Sequence, residues 1–307
     1  MERPAKRRTL PSALPAEAAP LELVTTADVS AALRARFGSP GYKPPLLPVV
    51  AMEVLALSGK RDVEVDALAA LLEKDPILAG RILQLVQSPV FAGRSPIRSL
   101  RQAVVRLGLA TMRDVVLEAA MNMRIFRAEG FAPALEQLRK HSTQVAHLAR
   151  AVCRYASIES ELAFMCGLLH DVGIAASLVC LAEDPALRAV GVEQLLSSVD
   201  EVHTEASGQL ARLWKLPEET AFVLEHHHSL QIGGHVHPLT AVLAVAEELC
   251  VRAGAPVSLH GPSGTLFLLD RDRPQRLEEA SAALRLNAKQ LALLEKDASV
   301  LAHQGID

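Results

Sequence analysis

The sequence predicts an all-α protein, and three observations carry this prediction. Half of the 307 residues are hydrophobic while only 3% are aromatic, and a composition dominated by Ala, Leu and Val with few aromatics favours helices over sheets. Signals for helix starts recur along the chain, and no strand-like alternation of apolar and polar residues is sustained. We expect an N-terminal helical subdomain packed on a helical bundle, followed by a C-terminal helical extension.

In the first half, residues 1–26 are rich in Pro and Ala and are expected to form a disordered tail. Ordered structure is expected from about Ala27, with an extended segment at 40–48. Asp75-Pro76 and Ser95-Pro96 each place an N-cap residue before a proline at the first helical position. Gly108 is expected to separate the last two helices of this half. The predicted helices cover 49–57, 65–74, 76–86, 96–107 and 111–126.

In the second half, Gly130 breaks the chain before a new group of helices. The stretch 255–270 is interpreted as a loop in which TLFLL could form a short strand or a helical turn, and Pro274 to Ala302 is expected to be helical. Predicted helices cover 132–155, 160–169, 200–214, 219–228 and 238–253. The predicted units are a subdomain at 27–130, a bundle at 131–255 and an extension at 256–307.

Composition also indicates the cellular compartment in which the protein is expected. Charged residues make up 22% of the chain and the net charge is −3, which gives no global attraction to nucleic acid or anionic lipid. No apolar run is expected to reach the length of a membrane span, and no uninterrupted apolar core follows the basic N-terminus as in a signal peptide. The cysteines form no CxxC pair and are interpreted as buried free thiols of a cytoplasmic protein: Cys153, Cys166, Cys180 and Cys250.

The histidines point to a metal site. All 11 follow residue 140, and nine fall between His141 and His237. The sequence GLLHDVG places His170 beside Asp171 at the end of an apolar helix, and a carboxylate next to an imidazole can bridge two divalent ions. Taken alone, this dipeptide is also compatible with an ordinary polar helix end. The surrounding order matters more, because His141 lies on the preceding helix and further histidines and an acidic residue follow on later helices.

This order resembles the metal site of the HD phosphohydrolase superfamily. Residues 73–120, EKDPILAGRILQLVQSPVFAGRSPIRSLRQAVVRLGLATMRDVVLEAA, closely resemble the signature of HDOD domains within it, and LRKHS, GLLHDVG, the HTEASGQLARLWKLPEETAFVLEHHH stretch and VLAVAEELC follow in the family's order. The resemblance covers roughly 40–255 and implies an HD-like helical bundle in a bacterial signalling protein. HD enzymes use one or two metals to activate water against phosphate esters.

The resemblance implies a divalent metal, Fe, Mn or Zn, on ligands from five helices. His147 is six residues beyond His141 and is expected to face elsewhere; His226 is the uncertain member of its triplet. His235 and His237 are assigned to a Gly-rich loop, and His260 and His303 to the surface. A second interpretation stays open, in which inherited histidines only hydrogen-bond inside the bundle. The candidate ligands are His141, His170, Asp171, His203, His227, His228 and Glu247.

Several departures from the catalytic pattern argue against phosphodiesterase activity. Ile174 stands where catalytic relatives have a lysine, and a hydrocarbon cannot stabilise developing negative charge. Glu247 replaces an aspartate, and the Gly-Tyr-Pro motif of cyclic-di-GMP phosphodiesterases is absent after the histidines. The expected function is therefore a non-catalytic signalling module that binds partner proteins, with a metal or a nucleotide as further ligands. The alternative is a metal-dependent phosphohydrolase.

A weaker alternative is DNA binding. Five arginines lie between residues 94 and 113 with no acidic residue among them, and two short helices joined at Gly108 could form a helix-turn-helix. We favour the interpretation that these arginines form the solvated face of an amphipathic helix, whose other face carries Leu100, Val104 and Leu107, or that they meet an acidic partner protein. Neither nucleic acid nor a membrane is an expected partner. The arginines are Arg94, Arg98, Arg101, Arg106 and Arg113.

Overall fold

The computed structural model describes residues 25–57, 63–91, 96–123, 126–158, 162–184, 192–254, 258–261, 264–267 and 273–303. The predicted tail therefore lies almost wholly outside the described residues. Within them the secondary structure is helical apart from two short two-stranded hairpins. The predicted all-α class is confirmed.

The N-terminal helices follow local capping rules. Asp75 caps α4 by accepting hydrogen bonds from the backbone N–H groups of Ile77 and Leu78, at 3.1 and 3.0 Å, as predicted. The predicted start of the next helix at Pro96 is wrong, because Ser99, which accepts from the N–H of Gln102 at 3.1 Å, is the N-cap. The helices are α1 (Thr26–Gly38), α2 (Val49–Leu57), α3 (Val65–Leu72), α4 (Pro76–Leu85) and α5 (Leu100–Asn122), the last kinked at Gly108, where φ is 74°.

The bundle contains one helix that the sequence did not predict. Residues 172–183 are buried on nearly every side, so this helix has no polar face and shows no amphipathic period. The helix expected from residue 200 begins earlier, at Val192. The bundle helices are α6 (Ala132–Ala156), α7 (Ala163–Leu169), α8 (Val172–Glu183), α9 (Val192–Leu213), α10 (Glu218–Glu225) and α11 (Pro238–Arg252).

The hairpins and the C-terminal helices complete the described chain. Strands β1 (Gln231–Ile232) and β2 (His235–Val236) pair antiparallel, joined by Gly233-Gly234, whose φ values of 61° and 83° suit a two-residue hairpin turn. Part of the predicted 255–270 loop forms a second antiparallel hairpin, β3 (Ser258–Gly261) with β4 (Gly264–Phe267). The C-terminal segment, predicted to be helical, forms two helices, α12 (Arg273–Ala283) and α13 (Ala288–His303).

Two glycines set the spacing of the helices around the site. A Cβ on Gly173 of α8 would lie 2.1 Å from the carbonyl oxygen of His203 on α9, and one on Gly167 of α7 would lie 2.7 Å from Cα of Ala146 on α6. Only glycine allows backbones to approach so closely. The junction between α7 and α8 is therefore held between α6 and α9.

The core of the bundle includes a segment with the composition of a membrane span. Residues Ala163–Glu183 reach a mean hydropathy of 1.8, contrary to the expectation that no run would be long and apolar enough. However, 94% of the most apolar 18-residue stretch within this segment is buried inside the protein. Its hydrophobicity is that of the central helices of a bundle, which contact other helices on all sides.

Candidate metal centre

The predicted ligands come from five parts of the bundle. His141 lies in the middle of α6, and His170 and Asp171 form the junction between α7 and α8. His203 lies on α9, the His227-His228 pair directly follows α10, and Glu247 lies on α11. All seven are buried except His228, which is partly buried. Side chains separated by up to 106 positions in the sequence are thus brought inside one bundle.

Asp171 is at the centre of this group. Its Oδ2 lies 3.1 Å from Nε2 of His170 and 4.0 Å from Nε2 of His141. Its Oδ1 lies 3.3 Å from Nε2 of His227 and 3.6 Å from Nε2 of His203. Each carboxylate oxygen therefore faces a different pair of imidazoles. The predicted ligands thus lie close together in space, as their order in the sequence predicted.

The donor atoms form two groups that share Asp171. In one, the donor atoms of His141, His170 and Asp171 lie within 4.8 Å of one another; in the other, the same holds for Asp171, His203, His227 and His228. Oε1 of Glu247 lies 3.7 Å from Nε2 of His170, beside the first group. A carboxylate shared by two histidine groups is a donor arrangement suited to two divalent ions.

Backbone carbonyls orient three of the imidazoles. Nδ1 of His170 lies 2.8 Å from the carbonyl of Gly167, and Nδ1 of His203 and of His227 each lie 2.7 Å from a carbonyl three residues earlier. A ring nitrogen that faces a carbonyl must carry the proton, which leaves Nε2 of a neutral imidazole as an acceptor. Nε2 of His203 lies 2.9 Å from Nε2 of His228, so one of these two nitrogens donates to the other. This arrangement commonly holds metal-binding histidines in place.

Unsatisfied polar atoms test whether a metal fits. Nε2 of His227 and Oε1 of Glu247 are buried and have no hydrogen-bond partner among the described residues, whereas Nε2 of His170 and Oδ2 of Asp171 form an ion-pair contact with each other at 3.1 Å. Leaving a buried polar atom unsatisfied costs about 1–3 kcal/mol. Divalent cations in the two donor groups would satisfy these atoms, so the residues present fit a metal.

The protonation states of the two carboxylates and of His228 favour cation binding, and that of His170 opposes it. Burial alone would raise the pKa of both carboxylates, but His170 holds the pKa of Asp171, and Arg276 that of Glu247, well below the ordinary range. Burial lowers the pKa of His228 to about 2. Burial would also lower the pKa of His170, yet the two carboxylates raise it to about 9. Near pH 7 the two charged carboxylates and the neutral His228 are in the state that metal ligands require, whereas His170 is protonated and would have to release its proton to bind a metal.

The remaining histidines lie elsewhere. As expected, His147 turns away from the centre, with its Nε2 3.3 Å from Oε2 of Glu118 on α5. His226 stacks on Phe222, whose carbonyl faces its Nδ1 at 3.0 Å. His235 and His237 belong to the β1–β2 hairpin and its end, where the sequence predicted a loop. His303 is exposed, and the side chain of His260 lies outside the described residues.

Sequence reasoning missed one residue at the centre. Nη1 of Arg276, on α12, lies 2.7 Å from Oε2 of Glu247, and its Nη2 donates a hydrogen bond to the backbone carbonyl of His227. The sequence predicted only an amphipathic helix there. No local signal distinguishes this arginine from a surface residue, because its partners are 29 and 49 positions away.

The arginine stretch does not form a continuous basic face. Arg113 is buried and contacts Asp114 at 3.3 Å, and Arg101 pairs with Asp66 of α3 at 2.6 Å. Arg98 is exposed, and Arg94 lies outside the described residues. The distant Asp66 and the adjacent Asp114 thus each pair with one arginine of the predicted patch, which weakens the DNA-binding alternative.

Comparison with known proteins assigns the class that this bundle and its histidine order indicate. The HDOD domain family matches residues 45–230, well over half of the chain. The protein belongs to the HDOD family. The domain limits predicted at 27 and 255 are wider than this match and stay a prediction.

Individual relatives are distant. The chain is 25% identical over 213 residues to an uncharacterised protein of Treponema pallidum and 25% identical over 190 residues to Ribonuclease Y of Thermus thermophilus. These alignments cover 66% and 62% of this chain but only 41% and 28% of those proteins. The chain therefore spans less than half the length of the curated relatives it matches.

Solved structures share the fold. A candidate metal-dependent phosphohydrolase from Shewanella amazonensis superposes with a TM-score of 0.69 at 17% identity, covering 91% of this chain and 99% of that one. An HDOD domain protein from Geobacter sulfurreducens gives 0.66 at 20% identity, with 92% and 100% covered. A candidate signal transduction protein from Marinobacter aquaeolei gives 0.53 at 20%, with 89% and 66% covered. At these identities the likeness establishes the fold alone.

Proposed function

We propose that this HDOD protein is a non-catalytic cytoplasmic signalling module of bacterial type, in which a divalent metal holds the helices of the bundle in register for a partner protein. The observation that carries the proposal is the complete ligand set around Asp171 combined with Ile174, which is 1% exposed in the core. The ligands fit a metal, while the position that supplies a phosphate-binding lysine in catalytic relatives holds a hydrocarbon. When bound, the metal would supply cross-links between the helices that carry its ligands.

The metal-bearing residues would be His141, His170, Asp171, His203, His227, His228 and Glu247, with Fe, Mn or Zn as the ion. In this proposal their role is structural: the seven ligands come from five helices or helix ends, so bound metal fixes the relative positions of those elements. A metal that binds only the folded state stabilises it by an amount that rises with the logarithm of the free metal concentration once that concentration exceeds the dissociation constant. A nucleotide remains a further proposed ligand.

A second candidate function is metal-dependent phosphohydrolysis, which would include the phosphodiester bonds of RNA. The specific observation in its favour is that the two donor groups share one carboxylate, the arrangement used by two-metal phosphoesterases. Similarity over 190 residues to Ribonuclease Y adds RNA to the substrates worth testing. Against it stands the missing lysine, since losing a single charge-stabilising donor typically costs about 10²–10³ in rate.

An assay separates the two functions. The intact protein, loaded with Mn²⁺, Fe²⁺ or Zn²⁺, is incubated with cyclic dinucleotides, cyclic mononucleotides, single-stranded RNA and an aryl phosphodiester. We expect turnover below about 1 s⁻¹, the low end of ordinary enzymes, for all of them. Turnover at or above that rate that disappears in Asp171→Ala but persists in His226→Gln would establish the enzyme and overturn the non-catalytic proposal.

Partner binding is proposed for the N-terminal subdomain. Its described residues include the four most exposed large hydrophobic side chains of the described chain, Leu46, Val49, Ile77 and Val105, at 60–79% exposure. Exposed apolar side chains concentrated in one region are typical of interaction surfaces.

Charge placed on this surface tests it. We expect the double variant Val49→Asp/Ile77→Asp to keep the fold, since both side chains are exposed. Its affinity for a partner protein identified by cross-linking should fall at least about tenfold, the effect of losing one or two apolar contacts. Leu213→Asp and Val300→Asp, exposed in the bundle and extension, serve as controls. Equal partner affinity in the double variant and the controls would place the interface elsewhere.

A further inference from the structure

Arg276 connects the C-terminal extension to the metal centre. It lies on α12, beyond the segment that matches the HDOD family. Its side chain is only 10% exposed, whereas its neighbours Pro274 and Gln275 are exposed. A buried arginine needs strong partners to offset the loss of hydration. The partners of Arg276 are two candidate metal ligands.

The guanidinium contacts both ligands at once. Nη1 lies 2.7 Å from Oε2 of Glu247, and Nη2 donates to the backbone carbonyl of His227. These two contacts join α11 to the end of α10. Since the planar guanidinium presents its donors in a fixed geometry, it restrains both partners relative to each other more tightly than a lysine ammonium would.

We propose that Arg276 is a positioning residue for the metal centre, which makes α12 part of the site. By holding Oε2, it leaves Oε1 of Glu247 facing Nε2 of His170 at 3.7 Å, on the side of the first donor group. This accommodates the extra methylene of a glutamate where the family has an aspartate. By holding the carbonyl of His227, it fixes the chain that carries the imidazole whose Nε2 lies 3.3 Å from Asp171.

The inference rests on the proposed metal site and extends it to regulation. If Arg276 positions the ligands, metal binding and docking of α12 favour each other, and this coupling must be reciprocal. An event that pulls α12 away would release the metal, and metal binding would stabilise α12. A purely structural ion pair between Arg276 and Glu247 would hold α12 equally well with or without metal.

Metal affinity provides the main test, measured on the full chain by Mn²⁺ titration with calorimetry and electron paramagnetic resonance. Removing a group that orients metal ligands typically costs about 10–100-fold in affinity, so we expect that loss in Arg276→Ala. Arg276→Lys, which keeps the charge but has a single donor centre, should recover part of it. The control is Arg285→Ala, at an exposed arginine two residues beyond the end of α12, and this variant should bind Mn²⁺ like the natural protein.

Hydrogen exchange provides the second readout. Adding Mn²⁺ to the natural protein should slow exchange of the amides in α12, and this slowing should disappear in Arg276→Ala. If the natural protein binds no metal, the metal site itself is refuted. The other outcome is that the natural protein binds Mn²⁺ and that Arg276→Ala and Arg276→Lys bind it with the same affinity and the same protection of α12. In that case the metal site stands and the positioning role is refuted. Circular dichroism identifies any variant that fails to fold. If Arg276→Ala does not fold, the Mn²⁺ affinity of Arg276→Lys alone tests the positioning role.

Discussion

Replacing Asp171 by alanine is expected to abolish metal binding at both donor groups. Its two carboxylate oxygens face two different pairs of imidazoles at 3.1–4.0 Å, and both donor groups include it. No other described residue belongs to both groups. We therefore expect a loss of affinity larger than the roughly 100-fold effect of removing an orienting residue, with Mn²⁺ binding falling below detection in calorimetry.

Thermal unfolding also measures the loss of metal binding, because a metal that binds the folded state raises its stability. At free Mn²⁺ about 100 times its dissociation constant, binding stabilises a folded protein by about 2.7 kcal/mol, which corresponds to a rise in Tm of about 5 °C for a chain of this size. Asp171→Ala should show no rise, and a chelator should return the natural protein to its metal-free Tm.

The matched control is His226→Gln. His226 is adjacent to the ligand His227 in the chain but stacks on Phe222 outside the centre, so this variant should keep both the stoichiometry and the Tm rise. Metal bound by Asp171→Ala with the stoichiometry and affinity of the natural protein would show that the carboxylate is not the shared ligand.

Replacing Gly173 by alanine is expected to destabilise the fold by about 3 kcal/mol or more, the upper range for forcing extra volume into a packed core. The added Cβ would meet the carbonyl oxygen of His203 at 2.1 Å and the backbone nitrogen of Ser207 at 2.7 Å. Both are backbone atoms of α9, which cannot rotate away as a side chain would. The hydrogen bond from Gly173 N–H to Oγ of Ser207, 2.8 Å long, would also be disturbed.

Gly80 is the control for this substitution. It is an exposed position within α4, and a Cβ there would meet no atom within 4 Å. Gly80→Ala should therefore stabilise the protein by up to about 1 kcal/mol, the difference in helix propensity. Urea unfolding of both variants measures the contrast. A Gly173→Ala protein as stable as the natural one would mean that α8 and α9 do not pack as closely as described.

Gly173→Ala is also expected to affect the metal centre. His203 is a candidate ligand on α9 and Asp171 lies two residues before Gly173, so separating the two helices would move Nε2 of His203 away from Oδ1 of Asp171, now 3.6 Å distant. Any Gly173→Ala protein that folds should bind Mn²⁺ more weakly than Gly80→Ala. The glycine thus acts on the metal centre through helix spacing alone.

The sequence by itself determined the helical class and the chemistry of the site. Asp75-Pro76 fixed the start of α4, because an N-cap acts on N–H groups only two and three residues away. Helices with a polar and an apolar face, such as α6, were predictable from their period. The order of the histidines and of Asp171 was enough to predict that they meet, since that order resembles a known family. Whether they bind a metal stays a prediction.

Only the tertiary structure decided the rest, because the deciding contacts join residues distant in the chain. Helix α8 has no polar face, so its existence depends on the neighbours that bury it. Arg113 looked like a surface residue until burial beside Asp114 removed it from the basic patch. Arg276 belongs to the centre solely because α12 packs against α11, a contact between helices for which the local sequence carries no signal.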